Sequence, residues 1–295
     1  MTISRAPWIA AVLILAGVIA LLTHISGTTM DYSRYNPEWN GTSRLFQVMD
    51  ERGAIMVDRL DELPNSADCL LFIPAPEGEF GTDEISRLRL FLEGGNTVVL
   101  VSDREDENTL LSGLGSTIII HNENLTSIDR YADHPTSVLA FPSQKGIPGP
   151  GISRLILNNP SFVEGGIPVF ETSLLSWIDK DGNFRLTGDE SLQKYCVVAE
   201  ERHGNGTLYV IADPSIFINV MQDRGEGNEN AAFSDSIMSR KPCLLVDQSH
   251  SRTALGPLVI RAVNVVKEST IHKMAVVTLI FLAISLLIVT RKEKP

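Results

Sequence analysis

The sequence contains little cysteine and no cysteine motif. Only Cys69, Cys196 and Cys243 occur in the 295 residues, and they stand far apart. Disulfide-rich scaffolds and zinc sites need closely spaced cysteines, so both classes are excluded. Each cysteine lies in or beside an apolar, strand-like stretch. We therefore predict three buried, unreactive thiols and no metal site.

An excess of positive charge is also missing. The formal net charge is −11 at pH 7. Nucleic-acid-binding proteins carry a basic patch, whereas an acidic surface repels the phosphate backbone. We therefore expect no nucleic-acid partner.

Motifs of several common enzyme classes are absent. The sequence has no P-loop and no G-x-G-x-x-G motif. Ser102 stands at a predicted strand-to-helix turn, where some hydrolases place a nucleophile. Its neighbours Val101 and Asp103 do not form the G-x-S-x-G elbow of those enzymes. We predict no catalytic residue and no cofactor.

One segment imitates a calcium-binding loop. Asp179, Asp181, Asn183 and Glu190 have the spacing of ligands in an EF-hand, but Phe184 stands where that loop needs glycine. A simple Asp-Gly turn is the better interpretation.

Long apolar stretches without charge occur near both ends, at residues 8–22 and 274–290. At about 1.5 Å per residue, each is close to the minimum length that crosses the apolar core of a bilayer. Arg5 precedes the first stretch, and a basic tail after position 290 follows the second. Both termini are therefore expected in the cytoplasm.

These stretches predict three parts of the chain. Residues 1–29 form a membrane anchor, with a cleaved signal peptide as the alternative. Residues 30–269 form an extracytoplasmic domain, and residues 270–295 form a transmembrane helix with a basic tail. The predicted location is the cell membrane.

The first part of the central domain alternates between strand and helix patterns. Short apolar runs at 69–73 and 97–101 are typical of buried strands, and the segments at 43–52 and 83–93 have helical spacing. This alternation predicts an α/β fold with a mostly parallel sheet and helices on both faces. Residues 121–166 resemble an insertion of loops and short strands.

Polar residues follow several predicted strands, and the carboxyl ends of parallel strands meet at one edge of a sheet. We call this edge the strand-end rim and predict that it binds a ligand. The alternative is that the same oxygen atoms cap helices and turns. The predicted ligand-binding residues are Asn40, Thr42, Ser43, Asp103, Asp213, Ser215, Asn219 and Asn230.

Five segments resemble an uncharacterised, membrane-anchored family of archaea and bacteria, a domain of unknown function. The similarity covers roughly residues 30–250. The segments are YNPEWNGTS from Tyr35, LLFIPAP from Leu70, FLEGGN from Phe91, the pair Gly204 and Gly206, and IADPSIFIN from Ile211.

The resemblance implies a flavodoxin-like sheet, similar to class I glutamine amidotransferases, gliding-type transporter auxiliary proteins and an intraflagellar transport protein. It also implies partners from a system built around a MoxR-type AAA ATPase. Amidotransferase activity is not implied, because Ser102 or a near neighbour fills the catalytic cysteine position and no His-x-Glu pair follows.

Together these features predict a non-enzymatic, membrane-anchored α/β domain that binds a partner or small ligand at the strand-end rim. It would serve a membrane-associated assembly or transport system. One alternative is a hydrolase or transferase that uses Ser102 or Asp103 with Asp213. Another is an envelope module that binds sugar or peptide, in which Tyr32, Tyr35 and Trp39 supply stacking surfaces.

Overall fold

An eleven-stranded mixed β-sheet organises the protein. The computed structural model describes Ile14 and residues 28–254, apart from positions 66, 67, 148, 224 and 226. Met30–Leu255 forms one structural unit. The predicted domain boundaries at 29/30 and 269/270 stay predictions, and the second lies outside the described residues.

One half of the sheet is parallel. Its strands, in spatial order, are β1 (Ile55–Val57), β13 (Cys243–Asp247), β2 (Cys69–Pro74), β3 (Thr97–Val101) and β12 (Gly206–Ile211). Strands β2 and β3 are almost entirely apolar and are buried along their whole length. Continuous apolar runs are expected for parallel strands that are covered on both faces.

The other half of the sheet is antiparallel. It contains β11 (Cys196–His203), β9 (Ile167–Thr172), β6 (Leu139–Pro142) and β7 (Leu155–Ile156), with β8 (Phe162–Glu164) and β4 (Ile119–His121) as a branch. A separate pair consists of β5 (Leu125–Ser127) and β10 (Ser176–Ile178). The predicted mostly parallel sheet is therefore wrong for this half. Its short strands are joined without crossover helices, so they pair antiparallel.

Four α-helices lie in the described part of the chain: α1 (Ser43–Glu51), α2 (Thr82–Glu93), α3 (Asn108–Leu114) and α4 (Asn230–Met238). Leu70 and Phe72 of β2 share one apolar core with residues of α1 and α4. Leu71 and Ile73 share a second core with residues of α2 and α3. Alternate side chains of β2 therefore build two cores, one on each face.

The structure also corrects the prediction of terminal transmembrane helices. No helix in the described part of the chain is long and apolar enough to cross a membrane. This finding contradicts the predicted fold class with its two transmembrane helices, and with it the predicted location in the cell membrane. The stretches on which both predictions rested, residues 8–22 and 274–290, lie outside the described residues, apart from Ile14.

Two glycines shape the hairpin between β11 and β12. Gly204 has a φ of +58°, which the turn needs and which glycine adopts without strain. Gly206 is required for a different reason, since a Cβ there would collide with the carbonyl oxygens of Leu92 and Asn96. The hairpin therefore needs one glycine for its backbone conformation and the other for its close contact with the end of α2.

A disulfide bond joins Cys69 of β2 to Cys243 of β13, which are paired residues of neighbouring strands. Their Cα atoms are 4.4 Å apart. The prediction of three unreactive thiols is therefore wrong for these two. Only the third cysteine, Cys196, is free. The fold brings the two bonded residues together across a sequence separation of 174.

Breaking this bond is expected to destabilise the protein. Cys243→Ser should lower the free energy of unfolding by about 2–5 kcal/mol, because the bond closes a very long loop in the unfolded chain. Chemical denaturation measures this change, with Cys196→Ser as the control. Unreduced, denatured protein should contain one titratable thiol, and three thiols would contradict the bond.

Candidate functional site

Asn219 connects the segment after β12 to the start of α1. Its Oδ1 atom accepts the backbone N–H of Arg44 at 3.0 Å. Its Nδ2 atom donates to the carbonyl oxygens of Asn36 at 3.1 Å and Glu38 at 2.6 Å. The Ser43 hydroxyl lies 3.2 Å from the same nitrogen. Asn219 therefore satisfies backbone groups at the start of α1, which has no side-chain cap of its own.

Asn40 and Thr42 stabilise the loop that precedes α1. The Thr42 hydroxyl donates to the carbonyl oxygen of Tyr32 at 2.7 Å. The Asn40 Oδ1 atom accepts from Asn36 Nδ2 at 2.9 Å, and its amide nitrogen donates to Asp31. The structure thus brings together four predicted site residues, Asn40, Thr42, Ser43 and Asn219, and engages them in internal hydrogen bonds. Their binding of a ligand stays a prediction.

Asp213 and Ser215 form a cap at the end of β12. The carboxylate of Asp213 accepts the N–H groups of Ser215 and Asn158, both at 2.8 Å. The Ser215 hydroxyl donates to the Asn158 carbonyl oxygen at 3.1 Å. Burial raises the pKa of Asp213 to about 7, although these hydrogen bonds act in the opposite direction. The geometry is that of the capping alternative.

Tyr32 lies in the electrostatic field of two predicted site residues, Asp103 and Asp213. The Tyr32 pKa is raised mainly by burial, and the negative charges of both aspartates add to this effect. The Arg252 guanidinium carbon lies 4.7 Å from the centre of the ring. Asp103 and Asp213 therefore act on Tyr32 through their charges, and their binding of a ligand stays a prediction.

Asn230 lies elsewhere, at the start of α4. It is fully buried. Its side chain accepts from the N–H of Ile156 at 3.0 Å and donates to the carbonyl oxygen of the same residue at 2.8 Å. Asn230 therefore holds the edge strand β7 in place.

The segment that imitates a calcium loop forms a turn held by hydrogen bonds. Oxygen atoms of Asp179, Asp181 and Glu190 lie within 4.8 Å of one another. The carboxylate of Asp179 accepts the N–H groups of Gly182 at 2.9 Å and Phe184 at 2.8 Å. Glu190 accepts backbone N–H groups through both of its oxygens. These backbone contacts account for the position of the carboxylates without an ion.

A cleft of about 410 Å³ opens at the strand-end rim. The loop after β2 supplies one side, and the turn after β3 with the start of α3 supplies the other. We call it the strand-end cleft; its lining residues are Glu77, Gly78, Glu79, Phe80, Arg104, Asp106, Glu107, Thr109 and Leu110. The predicted rim is therefore present, but none of the eight predicted residues lines this cleft.

Glu107 is the most unusual residue of the cleft. Its side chain is 3% exposed. Within the described part of the chain, no hydrogen bond or ion pair engages its carboxyl group. Burial raises its pKa to about 7. Buried carboxyl groups are normally paired or hydrogen-bonded, so a buried one without a partner is a candidate for ligand contact.

A histidine and two carboxylates support the wall of the cleft. The ring of His250 stacks on Phe80 with the ring centres 4.1 Å apart. The imidazole nitrogens of His250 lie 3.3 Å from Glu84 and 3.6 Å from Asp247. These carboxylates raise the pKa of His250, against the effect of burial. Glu107 and His250 are not among the predicted ligand-binding residues, because solvated helix starts and loops have the same residue types.

Replacing Asn219 tests whether it supports the fold. Asn219→Ala is expected to lower the free energy of unfolding by about 2–4 kcal/mol, because several buried backbone groups lose their hydrogen bonds together. Denaturation of both proteins measures the difference. Asn205→Ala, at an exposed turn, is the control and should change little. An unchanged stability of Asn219→Ala would leave ligand binding as the better explanation of this residue.

The raised pKa of Glu107 predicts a pH dependence of stability. Its folded pKa of about 7 exceeds the ordinary value of 4.5. Its contribution to stability is therefore complete below about pH 4.5 and is lost as the pH rises through about 7. Relative to the wild type, the free energy of unfolding of Glu107→Gln should therefore rise by about 1–3 kcal/mol as the pH increases from 4.5 to 8.

Urea denaturation of both proteins across this range gives the difference. The charged groups that act on Glu107 are Arg104, Asp106 and His250, and all three remain in the variant. A difference that is independent of pH would show that Glu107 titrates normally.

Comparisons with known proteins identify a family but no activity. No protein of curated function matches the chain. The N-terminal domain of mmIFT52 is similar at 16% identity and a TM-score of 0.41, over 56% of this chain and 73% of that one.

Two glycosidases are also similar to parts of the chain. A β-galactosidase from Bacillus circulans sp. alkalophilus has 12% identity and a TM-score of 0.32, over 51% of this chain and 21% of that one. An exo-β-1,4-mannosidase from Opitutaceae bacterium strain TAV5 has 15% identity and a TM-score of 0.30, over 58% of this chain and 25% of that one. Similarity this weak assigns neither a fold nor an activity.

The family model covers more than half of the sequence and includes α1, every strand of the sheet except β13, and most of α4. This confirms the part of the predicted resemblance that concerns an uncharacterised family. Through its residues 34–237, the chain belongs to the family described as a domain of unknown function, DUF4350.

Proposed function

We propose that this domain is a non-enzymatic binding module whose ligand occupies the strand-end cleft. The observation that carries the proposal is the buried carboxyl group of Glu107, which lines the cleft and has no partner in the described part of the chain. In the neighbouring lining residue Arg104, the buried Nε atom lacks a hydrogen bond within the described residues. A ligand would supply both partners and offset the cost of burying them.

The position of the cleft supports the same proposal. Open α/β sheets bind ligands in crevices outside the carboxyl ends of parallel strands. Glu77 follows β2 and Arg104 follows β3, which are neighbouring strands of the parallel half. The cleft therefore opens where this architecture commonly binds small molecules.

The geometry gives the hydrolase alternative no comparable support. The Ser102 hydroxyl is buried and accepts the N–H of Arg104 at 3.2 Å. Both carboxylate oxygens of Asp213 accept backbone N–H groups. Ala75, which follows β2, has a strained φ of 45° like a nucleophile elbow, but its methyl group is not a nucleophile.

The proposal for a sugar- or peptide-binding surface of aromatic rings is also weaker. Guanidinium groups of arginine lie over Tyr32 and Tyr35, at 4.7 Å and 4.8 Å from the ring centres. Trp39 is 64% exposed, so it is the one ring of the three with a largely open surface. An association with a MoxR-type ATPase system stays a prediction, because it rests on the family resemblance alone.

Blocking the cleft tests the proposal. Ligand-observed NMR with the full-length chain would screen small molecules that carry positive, negative or no charge. Thr109 lines the cleft and is exposed, so Thr109→Trp should fill it and abolish binding of every molecule that uses it. Ser112→Trp places the same ring at an exposed position of α3 that does not line the cleft, and should bind normally.

Circular dichroism would establish that both variants are folded. Binding that is equal in wild type, Thr109→Trp and Ser112→Trp would place the ligand elsewhere and refute the proposal.

A further inference from the structure

The charges around the strand-end cleft are strongly unequal. Four carboxylates line it, against a single guanidinium group, that of Arg104. Arg104 is already paired with one of the four, Asp106. The other three carboxylates, Glu77, Glu79 and Glu107, have no side-chain partner within the described residues. The cleft therefore favours a positively charged ligand.

The spacing of these carboxylates argues against a single metal ion. In the described part of the chain, oxygen atoms of three acidic residues come within 4.8 Å of one another only at Asp179, Asp181 and Glu190. No three carboxylates of the cleft meet this distance. Calcium and similar ions need several oxygens at 2.3–2.6 Å from one point. A ligand with positive charges at separate positions fits the cleft better.

Two apolar side chains stand among the polar residues that line the cleft. Phe80 and Leu110 are both buried residues that contribute to the lining. His250 stacks on Phe80 and fixes the orientation of its ring. Methylene groups pack favourably on such surfaces, and ammonium groups are attracted to aromatic rings. The cleft thus combines several negative charges with two apolar side chains.

We infer that the strand-end cleft binds a linear aliphatic polyamine. One ammonium group contacts Glu107 inside the cleft, and a second contacts Glu77 or Glu79 at its mouth. The methylene chain between them lies along Phe80 and Leu110. This inference rests on the proposed function and specifies the chemical class of its ligand.

Titration calorimetry with spermidine tests the inference on the full-length chain at pH 7.5 and 0.15 M salt, where charge interactions at long range are screened. The wild type should bind with a measurable enthalpy. Glu107→Gln should weaken binding by about ten- to a hundredfold, because a buried hydrogen bond between charged groups is lost.

Asp58→Asn is the matched control. It removes one negative charge from an exposed residue outside the cleft, and it should change the affinity less than twofold. Magnesium chloride at equal concentration should not displace spermidine. An equal loss of affinity in both variants, or displacement by magnesium, would mean nonspecific attraction of cations and would overturn the inference.

The test separates this inference from the proposed function. If spermidine does not bind, but a neutral or anionic molecule binds and is blocked by Thr109→Trp, the polyamine inference fails and the proposed function stands. If no molecule is sensitive to Thr109→Trp, both fail. Spermidine binding that Glu107→Gln weakens and Thr109→Trp abolishes would support both.

Discussion

The double burial of the parallel strands is the constraint on which the rest of the structure depends. Side chains of β2 point alternately into two apolar cores, so this strand needs cover on both faces. Helices α1 and α4 cover one face, and α2 and α3 cover the other. The turns that lead into these helices must then lie at the ends of the strands. Polar side chains that cannot enter either core lie at this rim. There they cap helices and turns, form ion pairs or line the cleft.

The same constraint explains which parts of the fold were predictable. The runs CLLFI and TVVLV are almost entirely apolar, and strands β2 and β3 lie at those positions. Helix α2 was evident from its apolar spacing and from the acidic residues at its start. The antiparallel half was not predictable in the same way. Its strands have two to eight residues, and partners such as Cys196 and Val163 are distant in sequence.

The candidate site was predictable in location but not in composition. The position of the rim was predicted from the carboxyl ends of the parallel strands. The ligand-binding residues predicted there are nevertheless largely engaged in internal hydrogen bonds, as Asn219 and Asp213 show. Glu107 stands in a run of charged residues that has the pattern of a solvated helix start. The loop after β2, which is distant in sequence, lines the same cleft as Glu107. The burial of a carboxyl group without a hydrogen-bond or ion-pair partner depends on the whole fold, so a local sequence pattern cannot predict it.

The hydrogen bonds of Asn219 also constrain the order in which the protein folds. Helix α1 has nine residues and no side-chain cap within its own segment. Short helices are marginal in isolation, because nucleation is costly. The side chain that accepts a hydrogen bond at the start of α1 belongs to Asn219, which lies 175 positions after Arg44 in the sequence. Contacts of such long sequence separation form slowly, since the intervening chain must first lose conformational entropy. The first helix of the domain is therefore expected to become stable late, after the β12 segment has joined the sheet.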